Sequence, residues 1–131
     1  MNVLETEWWS LALPPEWWAE TEEESIVIGD RDGVGCIEIS TLHRDSGEFE
    51  SAEIGEIAAA EGYAGGDWRS AQFGDFRGVG TDFLEDETAV LEWFVASGPR
   101  LLYITYSCDA EHRGMDDAAV REILDTLVLA S

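Results

Sequence analysis

The sequence predicts an α+β domain: an antiparallel sheet of about six to seven strands flanked by two helices, in the order βββαββββα. Three observations carry this. Short runs rich in β-branched and aromatic residues alternate with a period of two and are separated by turn residues. Four such runs follow one another between positions 68 and 108 with only two or three residues between them. Two further segments, 51–61 and 116–129, have apolar residues at helical spacing. At 131 residues the chain fits one domain around one core.

Taken in order, Glu7 to Leu13 alternates as a strand, with Trp9, Leu11 and Leu13 on one face and Trp8, Ser10 and Ala12 on the other, until Pro14-Pro15 ends it. Trp17-Trp18 is expected in a turn or short helical stretch. Ser25 to Gly29 and Val34 to Leu42 form a hairpin across Asp30-Arg31-Asp32-Gly33. A helix runs from Ser51, a suitable cap, to Glu61, with Gly62 to stop it. Strands follow at Trp68–Phe73, Phe76–Leu84, Thr88–Ser97 and Arg100–Cys108, joined by Gly74-Asp75, Glu85-Asp86-Glu87 and Gly98-Pro99, which makes a meander. Asp116 to Leu129 closes the chain as a helix whose stripe of Val120, Ile123, Leu124 and Leu127 must lie on the sheet.

Charge excludes several function classes. Twenty-nine Asp and Glu against seven Lys and Arg give a formal net charge of -22 and a pI near 4.1. Such a field repels nucleic acid and anionic membrane surfaces and attracts a basic protein or a cation. Every cation is an Arg, so a Schiff-base lysine and a P-loop lysine are both ruled out. The opening Met1-Asn2-Val3-Leu4-Glu5 shows neither a basic leader nor a long apolar run, which predicts a chain that stays in the cytoplasm. Cys36 and Cys108 are too few for a disulfide scaffold and belong to no CxxC pair.

Catalytic signatures are missing. His43 and His112 lie outside any GxSxG, HExxH or Cys-His pattern, and close carboxylate pairs arise by chance among so many acids. Asp30-x-Asp32-Gly33 has the wrong spacing for a calcium loop, and Cys108, Asp109, Glu111 and His112 lack a second ligand pair for zinc. No cofactor and no metal are expected.

Partner binding has better candidates. Adjacent side chains of a strand face opposite ways, so Trp8 and Trp9 cannot share one core, and Trp8, Trp17 and Trp18 are candidate contact residues, with at least one ring expected to be substantially exposed. The acidic candidates are Glu22 and Glu23, beside Glu20 and Glu24, and the run Glu85-Asp86-Glu87. These acids read either as a solubilising surface or as a negative face that steers a basic partner.

The order of elements, with the Leu13-Pro14-x-x-Trp17 opening, resembles the PsbP-like superfamily. Further likeness lies in Gly35-Cys36-Ile37-Glu38-Ile39-Ser40 after a DG turn, Phe73-Gly74-Asp75-Phe76 at a hairpin, Leu101-Leu102-Tyr103-Ile104-Thr105-Tyr106, and Ile123-Leu124-Asp125-Thr126-Leu127. The resemblance implies a sheet sandwiched by helices and a binding rather than catalytic role. Such members include a photosystem II extrinsic subunit, a Ran-binding import factor and bacterial chaperone-adaptors of type VI secretion effectors. The expectation is a non-enzymatic protein-binding domain, monomeric or homodimeric, acting as adaptor, chaperone or inhibitor of a basic partner such as a secreted effector or toxin. The alternative is a small-ligand or enzyme domain with its pocket between sheet and helix.

Overall fold

The computed structural model describes residues 2–23 and 25–130. Along the chain run β1 (Asn2–Glu5), β2 (Trp9–Leu13), β3 (Trp17–Thr21), β4 (Ser25–Asp30), β5 (Gly35–His43), α1 (Ser51–Glu61), β6 (Arg69–Phe73), β7 (Phe76–Glu85), β8 (Thr88–Ser97) and β9 (Arg100–Asp109). A 3-10 turn at Ala110–His112, α2 (Asp117–Leu124) and β10 (Val128–Leu129) complete it. The expected α+β architecture with antiparallel pairing and two helices is present, but the sheet is split. Seven strands form one sheet in the order β3-β4-β5-β9-β8-β7-β6, and β1-β2-β10 form a separate small one.

The meander forms where the turn chemistry places it. Phe73 pairs with Phe76, Glu85 with Thr88 and Ser97 with Arg100, leaving Gly74-Asp75, Asp86-Glu87 and Gly98-Pro99 as two-residue loops. Gly98 takes φ +56 ahead of a proline, as a turn with a left-handed first central residue requires. Asp86 stands in the same position of its own turn at φ 57 without being glycine.

Four expectations need correction. Trp17-Trp18 is extended, not a turn or helix, because it opens β3: Trp17 enters the core and Trp18 lies across Gly29 of the neighbouring strand. The first strand begins at Trp9 rather than Glu7, since the Thr6 hydroxyl accepts the N–H groups of Trp8 and Trp9 and turns the chain there. That turn frees residues 2–5 to pair with β2 as β1. Ser51 is the first helical residue of α1, and the position before it, Glu50, makes no side-chain cap. The last helix stops at Leu124 instead of reaching Leu129. Thr126 bonds the Ile123 carbonyl with its hydroxyl and receives the Ala12 N–H, and Val128-Leu129 then pairs with β2.

The large sheet has apolar side chains on both faces. On one, Ile28, Ile37, Ile39, Trp93, Val95, Leu102 and Ile104 pack with Val120, Ile123 and Leu124 of α2 and with Trp9, Leu11 and Leu13 of the small sheet. On the other, Phe94, Ala96 and Leu101 lie under Ile54 and Ala58 of α1, with Phe49 beside them. Helix α1 rests on β7 and β8. Beyond Leu101, it leaves the same face of β9, β5, β4 and β3 without a covering element among the described residues.

The tip of the β6–β7 hairpin clamps the C-terminal segment. Asp75 N–H donates to the Leu127 carbonyl at 3.1 Å and its carboxylate accepts Leu129 N–H at 3.0 Å. Gly74 has φ +58, and a Cβ there would strike the Leu127 carbonyl oxygen, whereas Gly47, at φ +86, has open space around it. Gly47→Ala is therefore expected to cost about 1 kcal/mol, the left-handed penalty alone. Gly74→Ala should cost roughly twice that or more, because its backbone neighbour cannot give way. Urea midpoints of the two variants at unchanged slope check this ranking. Equal losses would mean that the hairpin tip does not press on residue 127.

Candidate functional site

The uncovered half-face starts from strand parity. Successive residues of β3 point to opposite sides, so Trp17, Ala19 and Thr21 share the core side while Trp18, Glu20 and Glu22 share the open side. Across the ladder, the open side continues through Val27, then Cys36, Glu38, Ser40 and Leu42, then Tyr103, Thr105 and Ser107. Leu42 remains 58% exposed and Trp18 44% exposed, both large apolar groups facing solvent. The Trp18 ring is held flat against β4 by its indole N–H, which donates to the Asp30 carbonyl at 3.1 Å, and by the absence of a side chain on Gly29.

Where this face reaches the end of the sheet, a groove of about 780 Å³ wraps from the β1–β2 turn, past the end of the β3–β4 hairpin, to α1, with Ile26, Ile39 and Thr41 of the sealed side also in its lining. Trp8 stands at its entrance, Leu42 and Tyr103 are in its floor, and Ile57 forms the helical wall. Its acids are Glu7, Glu22, Glu23 and Glu61, and no Arg lines it among the described residues. Trp8 is fixed from both neighbouring strands: its ring stacks on His43 at 4.2 Å, and the Arg100 guanidinium lies 4.4 Å from its centroid. His43 and Arg100 are cross-strand partners on β5 and β9, which explains why both reach the same ring.

Beside the groove sits a buried acid that sequence reading missed. Glu92 of β8 is only 6% exposed. Its carboxylate accepts the Tyr63 N–H at 2.8 Å and the Tyr103 hydroxyl at 2.5 Å, so the charge is held by two donors rather than by a cation. Burial, and then the Glu92 carboxylate, push the Tyr103 phenol upward from its ordinary value, which keeps the hydroxyl a donor at any physiological pH. The Tyr103 ring therefore floors the groove while its polar end is already engaged. Thr81, paired with Glu92 across the ladder, has a buried hydroxyl oxygen without a partner.

The candidate residues thus separate. Trp8, Glu22 and Glu23 line the groove, Trp8 from the sealed side of the sheet where His43 and Arg100 point, while Trp18 lies on the open face. Trp17, at 8% exposure, is a core residue, so the structure withdraws it from any contact surface. Glu85, Asp86 and Glu87 form the far corner of the sheet. Thr88, which pairs with Glu85, is six residues along β8 from Phe94 of the groove, about 20 Å at strand spacing. Glu24, read with the acids of the hairpin, lies outside the described residues. Of the metal-type donors, Asp109, Glu111 and His112 come within 4.8 Å of one another on the solvated 3-10 turn. Cys108 turns into the core, where burial raises its thiol.

No family model and no curated protein matches the chain. Solved structures do resemble it. One, from Bacteroides thetaiotaomicron VPI-5482 and determined at 1.50 Å resolution, superposes with a TM-score of 0.72 at 16% identity over 95% of this chain. The chain spans 46% of that protein, about half its length. A second, LpqN of Mycobacterium tuberculosis, described as involved in cell envelope biogenesis, superposes with a TM-score of 0.58 at 16% identity over 94% of this chain and 83% of its own. At this identity the likeness concerns the fold alone. No helix among the described residues is long and apolar enough to cross a membrane.

The exposure of Trp18 has a direct optical consequence. Acrylamide, which is neutral and so is not repelled by the negative surface, should quench one red-shifted component that disappears in Trp18→Phe and survives in Trp17→Phe. Quenching curves unchanged by Trp18→Phe would place that ring inside the protein.

Proposed function

We propose that this domain is a non-enzymatic binding module for a basic protein, of the PsbP-like kind, and that it takes hold of its partner at the groove and the open half-face beside it. The observation that supports this most is the juxtaposition of Trp8, Leu42 and Tyr103 with Glu7, Glu22, Glu23 and Glu61 in a chain of net charge -22, the neighbouring Arg100 guanidinium being engaged by the Trp8 ring. An aromatic and aliphatic floor supplies desolvated contact, and a mainly acidic rim supplies steering and orientation. A cationic segment gains on both counts, and an anionic one loses on the second.

The roles within that class follow from surface chemistry. A chaperone of an apolar segment would present a long greasy trough, whereas an inhibitor or adaptor of a basic protein presents charge around a small apolar floor, as here. The second role is the one we propose, in the cytoplasm, with the effector or toxin class as its object. A small-ligand pocket would need polar groups aimed at a common point. The Tyr103 hydroxyl, the strongest such group in the floor, is taken up by Glu92.

The test must separate local from overall charge. One variant carries Glu22→Gln, Glu23→Gln and Glu61→Gln; the other carries Glu85→Gln, Asp86→Asn and Glu87→Gln and loses the same charge at the far corner. The basic protein retained from host extract by the wild type should associate with the far-corner variant at nearly the wild-type rate, and with the groove variant about tenfold or more slowly. Its association should also slow as salt rises. Equal effects of the two variants would remove the groove from the account.

A further inference from the structure

Strand β3 is one edge of the seven-stranded sheet, and its hydrogen-bonding phase is defined by its ends. Arg31 N–H donates to the Glu16 carbonyl at 3.1 Å and Glu22 N–H to the Ser25 carbonyl at 2.8 Å. In an antiparallel ladder the bonded pairs recur every second residue, so the even-numbered residues from 16 to 22 face β4. The N–H and C=O groups of Ala19 and Thr21, and the C=O of Trp17, therefore point away from the sheet. Ala19 and Thr21 are both exposed, and the edge ends at Glu22 and Glu23 in the wall of the groove.

We infer that β3 is completed by an extended segment of the basic partner, added antiparallel as an eighth strand of the sheet, with cationic and small apolar side chains alternating along it. This rests on the binding role proposed above and specifies its geometry. Side chains of the added strand that fall on the open face stand beside Trp18, Glu20 and Glu22, which favours Arg or Lys there through ion pairing and contact of a cation with the indole face. Those on the other face stand beside Ala19 and Thr21, where small apolar groups fit. The same acids disfavour a second copy of this chain as occupant. Antiparallel β3–β3 pairing would bring Glu16, Glu20 and Glu22 of both copies onto one face, in molecules already at -22 each. The opposite edge, β6, lacks this pattern, since it begins with Arg69, itself bonded to Asp67. Strand addition of this sort draws its affinity from main-chain bonds and its selectivity from alternate side chains.

A capped octapeptide of alternating Arg and Val is a sufficient probe. Antiparallel pairing places the bonding N–H groups on the residues opposite Ala19, which are the Val residues, and turns the Arg N–H groups outward. A version N-methylated at Val should bind at least tenfold more weakly than the parent at low ionic strength, while one N-methylated at Arg, of equal charge and mass, should bind like the parent. The parent should also slow amide exchange at Ala19 and Thr21. Thr21→Pro, which removes only an outward N–H, should weaken the parent peptide without lowering the unfolding midpoint appreciably. Equal or reversed ranking of the two methylated peptides overturns strand addition but leaves an acidic binding face in place. Failure of all three peptides to bind at low salt removes both. A dimer of the free protein with Ala19 and Thr21 protected overturns the inference by assigning the edge to a second copy.

Discussion

The seven-stranded sheet has two faces with apolar side chains and cover enough for one and a half of them. One face is sealed by α2 together with the small β1-β2-β10 sheet, and its residues are almost completely buried. The other has only α1, an eleven-residue helix seated over β7 and β8. What remains over β3, β4, β5 and β9 follows from that shortage: a half-face where Trp18 and Leu42 meet water and where polar Ser40, Thr105 and Ser107 replace the isoleucines of the sealed side. On this face the exposed apolar groups are diluted with acids and hydroxyls.

The buried Glu92 belongs to the same economy of cover. It sits where α1 ends and the sheet begins to open, and its two donors come from the loop after the helix and from β9. A carboxylate held this way fixes the Tyr63 segment against the sheet and keeps Tyr103 flat in the groove floor. Removing one donor would leave a buried charge short of a partner, so the arrangement resists piecemeal change. The groove is therefore shaped by packing beneath it as well as by the acids at its rim.

Much of this was legible in the sequence, and the parts that were not have physical causes. Strands β8 and β9 announce themselves because their inward residues are apolar over most of ten positions, and β5 and β7 because turn residues bound them on both sides. Strand β3 does not, because an edge strand with four of five residues exposed lacks alternation, and two adjacent tryptophans conceal which one is inside. Strands β1 and β10 are short, and each is defined by pairing with β2 rather than by its own residues. Val128 and Leu129 also continue the helical spacing of Leu124, and tertiary pairing overrode it. For the site, Trp8, Trp18, Glu22 and Glu23 could be named from residue type. Their assembly with Glu61 and Tyr103 could not, since it depends on where α1 lands on the sheet.

Carboxylate footprinting measures the placement of a partner most directly. The chain is labelled at its acids alone and in complex with the basic partner proposed for it, and the labelled positions are compared by mass. If the open half-face and groove are the contact surface, Glu20, Glu22, Glu38 and Glu61 lose label in the complex while Glu85, Glu87 and Glu111 keep it. Protection of the second set with the first unchanged would put the partner on the far corner of the sheet and contradict the placement.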